Sequence, residues 1–362
     1  MKSNLIKIII INVCLTLIII LGLDFIYSNY IFKTEKNSSI YENNEQLHHK
    51  LKKNFSGISK YGYLEPFVCT NEFSFKIKCN AKTIKNYDIG IIGDSIVQAV
   101  GLRYDQTLTG ILTKNTDYRI ANIGTGSYSP IIYYQRLLNL LNEGLTFEHI
   151  VVFIDISDIQ DEFFYYKVGH AIKNKLDDIK VYESEEREKN SNFSFKSQIK
   201  KLIFDNLKIS FSTISLIKRK FFISDPFKIY KNDIPRYAWT YNKSLKNFTK
   251  DEINFGINNA KHYMKKIYQL LNSKGIKFSI AVYPLPQQLL YDVENNHQVK
   301  IWKNFCENKC YKFYDFNKIL YKTMNEMSLK KFFKEYFITY DEHFNYKGNK
   351  LLANEFLKIN VE

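Results

Sequence analysis

Five short, largely apolar runs, each ending at or just before a turn residue, constrain this chain more than anything else in it. They are Asp88 to Gly93, Tyr118 to Ile123, His149 to Ile156, Ile276 to Tyr283 and Tyr311 to Phe316. A short strand that is apolar on both faces is buried on both, as in a parallel sheet covered by helices. The stretches between supply those helices. Pro130 to Asn142 carries Ile131, Leu137, Leu138 and Leu141. Thr249-Lys250-Asp251-Glu252 is a capping box opening a long helix through Ile253, Ile257, Ala260, Met264, Ile267 and Leu271, and Gly275 closes it. The residues from Ser95 to about Thr113 read as mostly helical, a helix through Trp302 follows Pro284-Leu285-Pro286, and a last helix is expected from about Lys347 to Lys358. Strand and helix in alternation predict crossover connections and an α/β fold on a parallel sheet. No internal repeat is found.

The chemistry-bearing residues fall at the ends of those strands. In open parallel sheets, ligands bind beyond the carboxyl ends of the strands. Ser95, the Gly124-Thr125-Gly126 turn and Asp155-Ile156-Ser157-Asp158 each directly follow a predicted strand. They are therefore expected to converge on one crevice. A serine hydroxyl is a poor nucleophile at neutral pH and needs a base, with a further group to orient the base. Asp341-Glu342-His343-Phe344-Asn345 near the C-terminus offers that pair. His343, just before the last helix, is placed to reach Ser95, and Asp341 to hold the imidazole. Glycines at the second strand end let backbone N–H groups approach a developing oxyanion. Together these residues point to acyl transfer.

The same residues carry a resemblance. Gly93-Asp94-Ser95 resembles the first block of the SGNH (GDSL) hydrolase superfamily. Asn122-Ile123-Gly124-Thr125-Gly126-Ser127-Tyr128-Ser129-Pro130 resembles its glycine block, and Asp341-x-His343 its last block, in the shorter-spaced form of alginate-type O-acetylation proteins. The three blocks span residues from about 86 to 358. The resemblance implies a three-layer α/β fold of flavodoxin-like type. It implies Ser95 as nucleophile, His343 as base and Asp341 as its orienting acid. The oxyanion donors would be the N–H groups of Ser95 and Gly126 together with Ser157. It also implies an O-acylated cell-surface carbohydrate as substrate, with water or a sugar hydroxyl as acceptor; such serine chemistry needs no cofactor and no metal. Three departures stand out. Ser157 occupies the position where the third block usually carries an asparagine. The glycine block fits either Gly126 or Ser127. The Asp–His spacing is two rather than three. The missing asparagine leaves open a second class of function, a carbohydrate-binding or assembly protein on a decayed hydrolase fold. Asp155, Asp158, Asp161 and Glu162 suggest a metal site or, more simply, a capped helix start. Arg236 and Trp239 line the crevice or pack within a loop. His149, His170, His262 and His297 belong to no motif and read as structural.

The N-terminus sets the compartment. Lys2 and Lys7 precede an apolar run from Ile8 to Leu23, extended by Phe25 to Tyr27. This approaches the roughly 20 residues that cross a bilayer. The lysines place the N-terminus in the cytoplasm, with Asp24 at the outer interface. No small-x-small cleavage site follows, so a retained signal anchor is expected rather than a cleaved peptide. The catalytic domain then lies on the extracytoplasmic, periplasmic side. Cys69 with Cys79 and Cys306 with Cys310 form two local pairs, which an oxidising compartment allows as disulfides; four buried thiols are the alternative. No histidine stands at finger-like spacing from either pair, which argues against zinc. The formal charge of +15 comes from scattered lysines, with no basic stripe interleaved with aromatics, so no nucleic-acid partner is expected. Four segments follow: residues 1–28 as membrane anchor, 29–85 as polar stalk and cap, 86–362 as the hydrolase-like domain, and within it an insertion at about 165–248. The insertion holds the charged run 183–190 and, at 199–223, an amphipathic stretch that lies on the membrane or packs on its own domain. His48 and His49, in the stalk, read as solvated.

Overall fold

The computed structural model describes residues 2–31, 40–62, 64–164, 203, 206–211, 213–214, 230, 240–241 and 249–361. The charged run at 183–190, His170, Arg236 and Trp239 lie outside the described residues, as does most of the expected insertion. The chain divides into two compact units. One comprises residues 1–39 and 179–225, the other 40–178 and 226–362.

The first unit contains helix α1 (Lys2–Ile26), which continues as one π-helical turn at Tyr27–Ile31. The segment Lys7–Tyr30 is long and apolar enough to cross a membrane. Its apolar side chains are uncovered: Ile18 is 66% and Leu23 62% exposed. Asp24 is buried instead. It accepts the hydroxyl of Ser28 (3.0 Å) and the backbone N–H groups of Ile209 (3.0 Å) and Ser210 (2.6 Å). The Lys208 N–H goes to the Ser28 hydroxyl at 2.8 Å. These bonds satisfy donors that a helical segment near 208–211 leaves open at its start.

The second unit begins with two small sheets where a stalk is expected. Strands β1 (Tyr41–Asn44) and β2 (His48–Leu51) pair antiparallel, and β3 (Ser56–Ile58), β4 (Phe67–Thr70) and β5 (Lys76–Ile77) form an antiparallel three-stranded sheet. Cys69–Cys79 is a disulfide beside β4 and β5. His48 and His49 are buried, against the solvated reading. The reason is local. The β1–β2 hairpin folds onto the Gly124–Gly126 turn, where His49 Nε2 lies 2.7 Å from the Gly126 carbonyl oxygen and Tyr128 donates its hydroxyl to the His49 carbonyl.

The main sheet follows. β6 (Asn86–Ile92) leads through α2 (Ser95–Gln98) and α3 (Leu108–Asn115) to β7 (Ile120–Asn122). α4 (Pro130–Asn142) returns the chain to β8 (Thr146–Ile154), which runs into α5 (Ser157–Phe164). α6 (Lys250–Asn272) opens on the expected capping box, with Thr249 and Glu252 bonding reciprocally, and delivers β9 (Lys277–Val282). α7 (Pro286–Tyr291) and α8 (His297–Cys306) precede β10 (Phe313–Asp315). α9 (Phe316–Asn325), α10 (Leu329–Tyr336) and α11 (Tyr346–Val361) complete the unit. The five strands are all parallel, in the order β10-β9-β8-β6-β7. That is the flavodoxin-like doubly wound order, and it places a topological switch point at the end of β6. Consecutive residues Ile150 to Ile154 of β8 are all buried, so both sheet faces are covered. α4, α5 and α6 pack together as one group, and α3, α9, α10 and α11 as another.

Three helical expectations need correction. The run after Ser95 is not one helix: Ala99 and Gly101 adopt positive φ (51° and 76°) and split it into α2, a short 3-10 turn and α3. The helix through Trp302 is two, because Asn296 caps a fresh start at His297, its side chain accepting the Val299 N–H. The helices α9 and α10 stand where only a connecting segment is expected.

Candidate active site

Ser95 is the first residue of α2, directly beyond β6. Asp94 caps that helix, its carboxylate accepting the Ile96 N–H at 2.9 Å. A side chain here is presented at the crevice by a strand end held on one side and a helix start on the other. His343 and Asp341 arrive on the loop between α10 and α11. This loop is fixed by its own backbone: Ile338 N–H donates to the His343 carbonyl (2.8 Å), and Asn345 N–H to the Tyr336 carbonyl (3.1 Å). Asn345 ends the motif as a helix cap, its Oδ1 accepting the N–H groups of Lys347 (2.8 Å) and Gly348 (3.1 Å).

The structure brings the three together. His343 Nε2 lies 2.8 Å from Ser95 Oγ, and His343 Nδ1 lies 2.5 Å from Asp341 Oδ1. Asp341 Oδ1 also accepts the His343 backbone N–H at 2.9 Å, which is how a spacing of two residues still lets the acid reach the base. The bond at Nδ1 favours the tautomer whose Nε2 is an acceptor, so the Ser95 hydroxyl is placed to donate to it. Asp94 Oδ2, 3.2 Å away, is a second acceptor for that hydroxyl. Burial opposes charge on His343, but the hydrogen bond and charge of Asp341, aided by the charges of Glu342 and Asp94, outweigh it and raise the imidazole above its ordinary value. Burial also pushes the Asp341 carboxyl upward. The hydrogen bonds and charge of His343, with the Tyr61 hydroxyl, overcome this and hold Asp341 below the usual carboxylate value.

The glycine turn is built against α2. The Asn122 side chain donates to the Val97 carbonyl and to Thr109 (both 2.9 Å) and accepts the Gly124 N–H at 3.1 Å. A Cβ on Gly124 would lie 2.3 Å from the Gln98 backbone nitrogen, so only glycine fits. Gly126 lies close to Ser95: a Cβ built on it would be 3.6 Å from Ser95 Cβ. Its N–H, however, already donates to Gln98 Oε1 at 2.7 Å, and the Tyr41 hydroxyl donates to the same oxygen at 2.7 Å.

Ser157 is placed differently from expectation. Its hydroxyl and its N–H both donate to Asp155 Oδ1, each at 2.6 Å. A hydroxyl has one proton, so in this arrangement Ser157 has none left for an oxyanion. The acidic group around it is a hydrogen-bonded helix start. Asp158 Oδ2 accepts the Asp155 N–H (2.9 Å), and Tyr133 donates to Asp158 Oδ1 (3.0 Å). Glu162 accepts the Ser129 hydroxyl and the Ile131 N–H, both at 2.7 Å. Tyr283, just past β9, lies 3.1 Å from Asp94 Oδ1 and 3.2 Å from Asp155 Oδ2. One phenol proton cannot serve two carboxylates. Burial, with the charge of Asp155 beside it, pushes the Asp94 carboxyl up to about 6. Among the described residues no cluster of three or more His, Cys, Asp or Glu is arranged to hold a metal. His149 bonds Ser279 across the sheet (2.8 Å).

Several residues at the site have no sequence signal. Tyr61 lies on the turn after β3, with its hydroxyl 3.0 Å from Asp341 Oδ2 and 2.9 Å from His343 Nδ1. Lys76 of β5 donates to the carbonyls of Gln98 (3.1 Å), Ala99 (2.9 Å) and Leu102 (2.6 Å), closing the end of α2. Tyr230 donates to the Asp341 carbonyl at 2.8 Å. In a chain with 27 tyrosines, nothing in spacing sets these apart. A cavity of about 620 Å³ opens between Leu64, Leu102, Lys331, Lys334, Phe337 and Ile338, but Ser95 and His343 do not line it.

No family model and no curated protein matches the chain. Among solved structures, it is similar to a candidate lipolytic protein of the G-D-S-L family from Desulfitobacterium hafniense DCB-2, with a TM-score of 0.39 and 11% identity over 76% of this chain and 99% of that one. At that TM-score the likeness carries no argument.

Proposed function

We propose that the chain is a membrane-anchored, extracytoplasmic serine esterase or O-acyltransferase acting on acyl esters of cell-surface polysaccharide. One observation carries it: Ser95, His343 and Asp341, far apart in sequence, form a continuous hydrogen-bonded relay of 2.8 Å and 2.5 Å. Ser95 Oγ attacks the acyl carbonyl carbon while its proton passes to His343 Nε2. Asp341 holds the imidazolium that forms. The tetrahedral intermediate collapses as His343 returns the proton to the departing sugar oxygen, leaving an acyl-serine. Water or a sugar hydroxyl then gives its proton to His343 and takes the acyl group, and His343 returns that proton to the departing Ser95 Oγ. The oxyanion is held by the Ser95 N–H and, once the Gln98 side chain yields, by the Gly126 N–H. Serine chemistry of this kind uses no cofactor, and nucleic acid has no part in it. The uncovered apolar helix α1, long enough to cross a membrane, supports a membrane-directed N-terminus, and the two disulfides support an oxidising side of the membrane.

A second reading is a decayed hydrolase fold that binds acylated carbohydrate without turnover. The internal engagement of Ser157 and Gly126 favours it. A fluorophosphonate probe separates the two, since only an activated serine reacts. Labelling and acetyl-ester hydrolysis are expected in the full chain, and both should vanish in Ser95→Ala with the fold retained. A wild-type chain that neither labels nor turns over would overturn the esterase reading.

A further inference from the structure

The base of the relay has two polar neighbours at Nδ1, one of them from a segment with no catalytic motif. Tyr61 sits on a tight turn in which Tyr61 and Leu64 exchange backbone hydrogen bonds of 2.8 and 2.9 Å, and Gly62 takes positive φ (57°). The turn rests on Gly101, where a Cβ would come within 2.9 Å of Leu64 and 3.1 Å of the Tyr61 ring. The Tyr61 ring meets the His343 imidazole edge-on, at 5.3 Å and 82°.

The protons at this junction can be assigned. Nδ1–H points to Asp341 Oδ1 at 2.5 Å, the shortest contact there. The Tyr61 hydroxyl proton therefore goes to the other carboxylate oxygen, Oδ2, at 3.0 Å. Both Asp341 oxygens are then held, one by the base and one by the phenol. A carboxylate gripped at a single oxygen rotates about its Cβ–Cγ bond; gripped at both, it does not. We infer that Tyr61 is a positioning residue of the Ser95–His343–Asp341 relay, locking the Asp341 carboxylate and setting how strongly it draws the His343 proton. The inference rests on the esterase reading for its kinetic arm only. It assigns the small N-terminal sheets a part in the machinery.

The sign of the effect follows from the contacts. The groups facing His343 are Asp341 and Glu342 on its own loop, Asp94 and Ser95 at the start of α2, and Tyr61, with Tyr41 beyond it. A hydrogen bond donated to a carboxylate is charge-assisted and stronger than a secondary contact of the phenol oxygen with Nδ1–H. Removing the hydroxyl thus leaves Asp341 the stronger acceptor and raises the His343 titration. In Tyr61→Phe the acid limb of kcat/KM should move up by about half a pH unit. kcat on the plateau should fall about tenfold, with KM within about twofold. Replacing Tyr61 with 3-fluorotyrosine, whose more acidic phenol donates more strongly, should move the limb downward. A residue that only fills space would give no such pair of opposite shifts.

The same titration is read without turnover by following the His343 ring by NMR in a Ser95→Ala background. Opposite displacements of that titration in Tyr61→Phe and the fluorotyrosine chain support the inference. A titration unmoved in both overturns it, whether or not the wild type hydrolyses esters. If the wild type fails to label with the probe but the titration shifts, the function falls and Tyr61 keeps its role.

Discussion

His343 faces two demands that pull against each other. It must be neutral to take the Ser95 proton, yet Asp341 favours its charged form and lifts its titration above the ordinary value of about 6.5. Activity should therefore fall as pH drops, with an apparent midpoint above that value, measurable from kcat/KM against a small acetyl ester. The stability contribution has the opposite sign. A raised folded value means the pairing stabilises fully below about 6.5 and is lost as pH rises through the raised value. The Asp341 carboxylate, held low, adds stability above its ordinary value of about 3.9, lost on acidification. The relay should thus be tightest in the pH range where the proposed turnover is slowest. Asp341→Asn removes both the charge and the preferred tautomer, so kcat should drop by about 10³ to 10⁴ and the acid limb should fall. His343→Ala should match Ser95→Ala, and the double variant should be little worse than either. A double loss equal to the product of the single losses would show that the two residues do not act together.

α2 has only four residues and makes few bonds of its own, so its end must be held from outside. Lys76 does this, placing one buried ammonium on three carbonyls. Lys76→Met strands those acceptors and should cost about 2–4 kcal/mol, read from urea midpoints, while weakening ester turnover by releasing the helix that carries Ser95. Elements of this size are where the sequence was hardest to read. The five sheet strands and helices α4 and α6 were legible, because apolar runs and a capping box persist over enough residues to show a period. β1 to β5 have two to four residues each and lie in a polar segment without the apolar runs that mark even the three-residue β7 and β10, so the segment reads as a stalk. Ser95, His343 and Asp341 were legible from position at strand ends and from motif. Tyr61, Tyr41 and Lys76 were not, since their placement depends on how the small sheets fold back across the crevice. Ser157 occupied the expected position, but which way its hydroxyl turns was decided by Asp155, two residues away.

At the scale of the whole molecule, covalent links and compartment go together. Cys69–Cys79 ties β4 to the end of the β5 segment that carries Lys76, and Cys306–Cys310 closes a short loop after α8. Reducing the first should remove up to about 3 kcal/mol and lower both the melting temperature and the esterase rate. Peptide mapping without reductant should recover both linked pairs, and four free thiols in native protein would argue against an oxidising location. A reporter fused after Glu362 should be active only if it works outside the cytoplasm. The relay also has a consequence in time. Ser95 and His343 are separated by 248 residues, and the chain is made N-terminus first. At about 5–20 residues per second, the nucleophile precedes its base by about 12–50 s. Throughout that interval the emerging chain carries a serine with nothing to deprotonate it. On the proposed function, a chain interrupted before His343 carries the nucleophile without its base and should be inert toward esters.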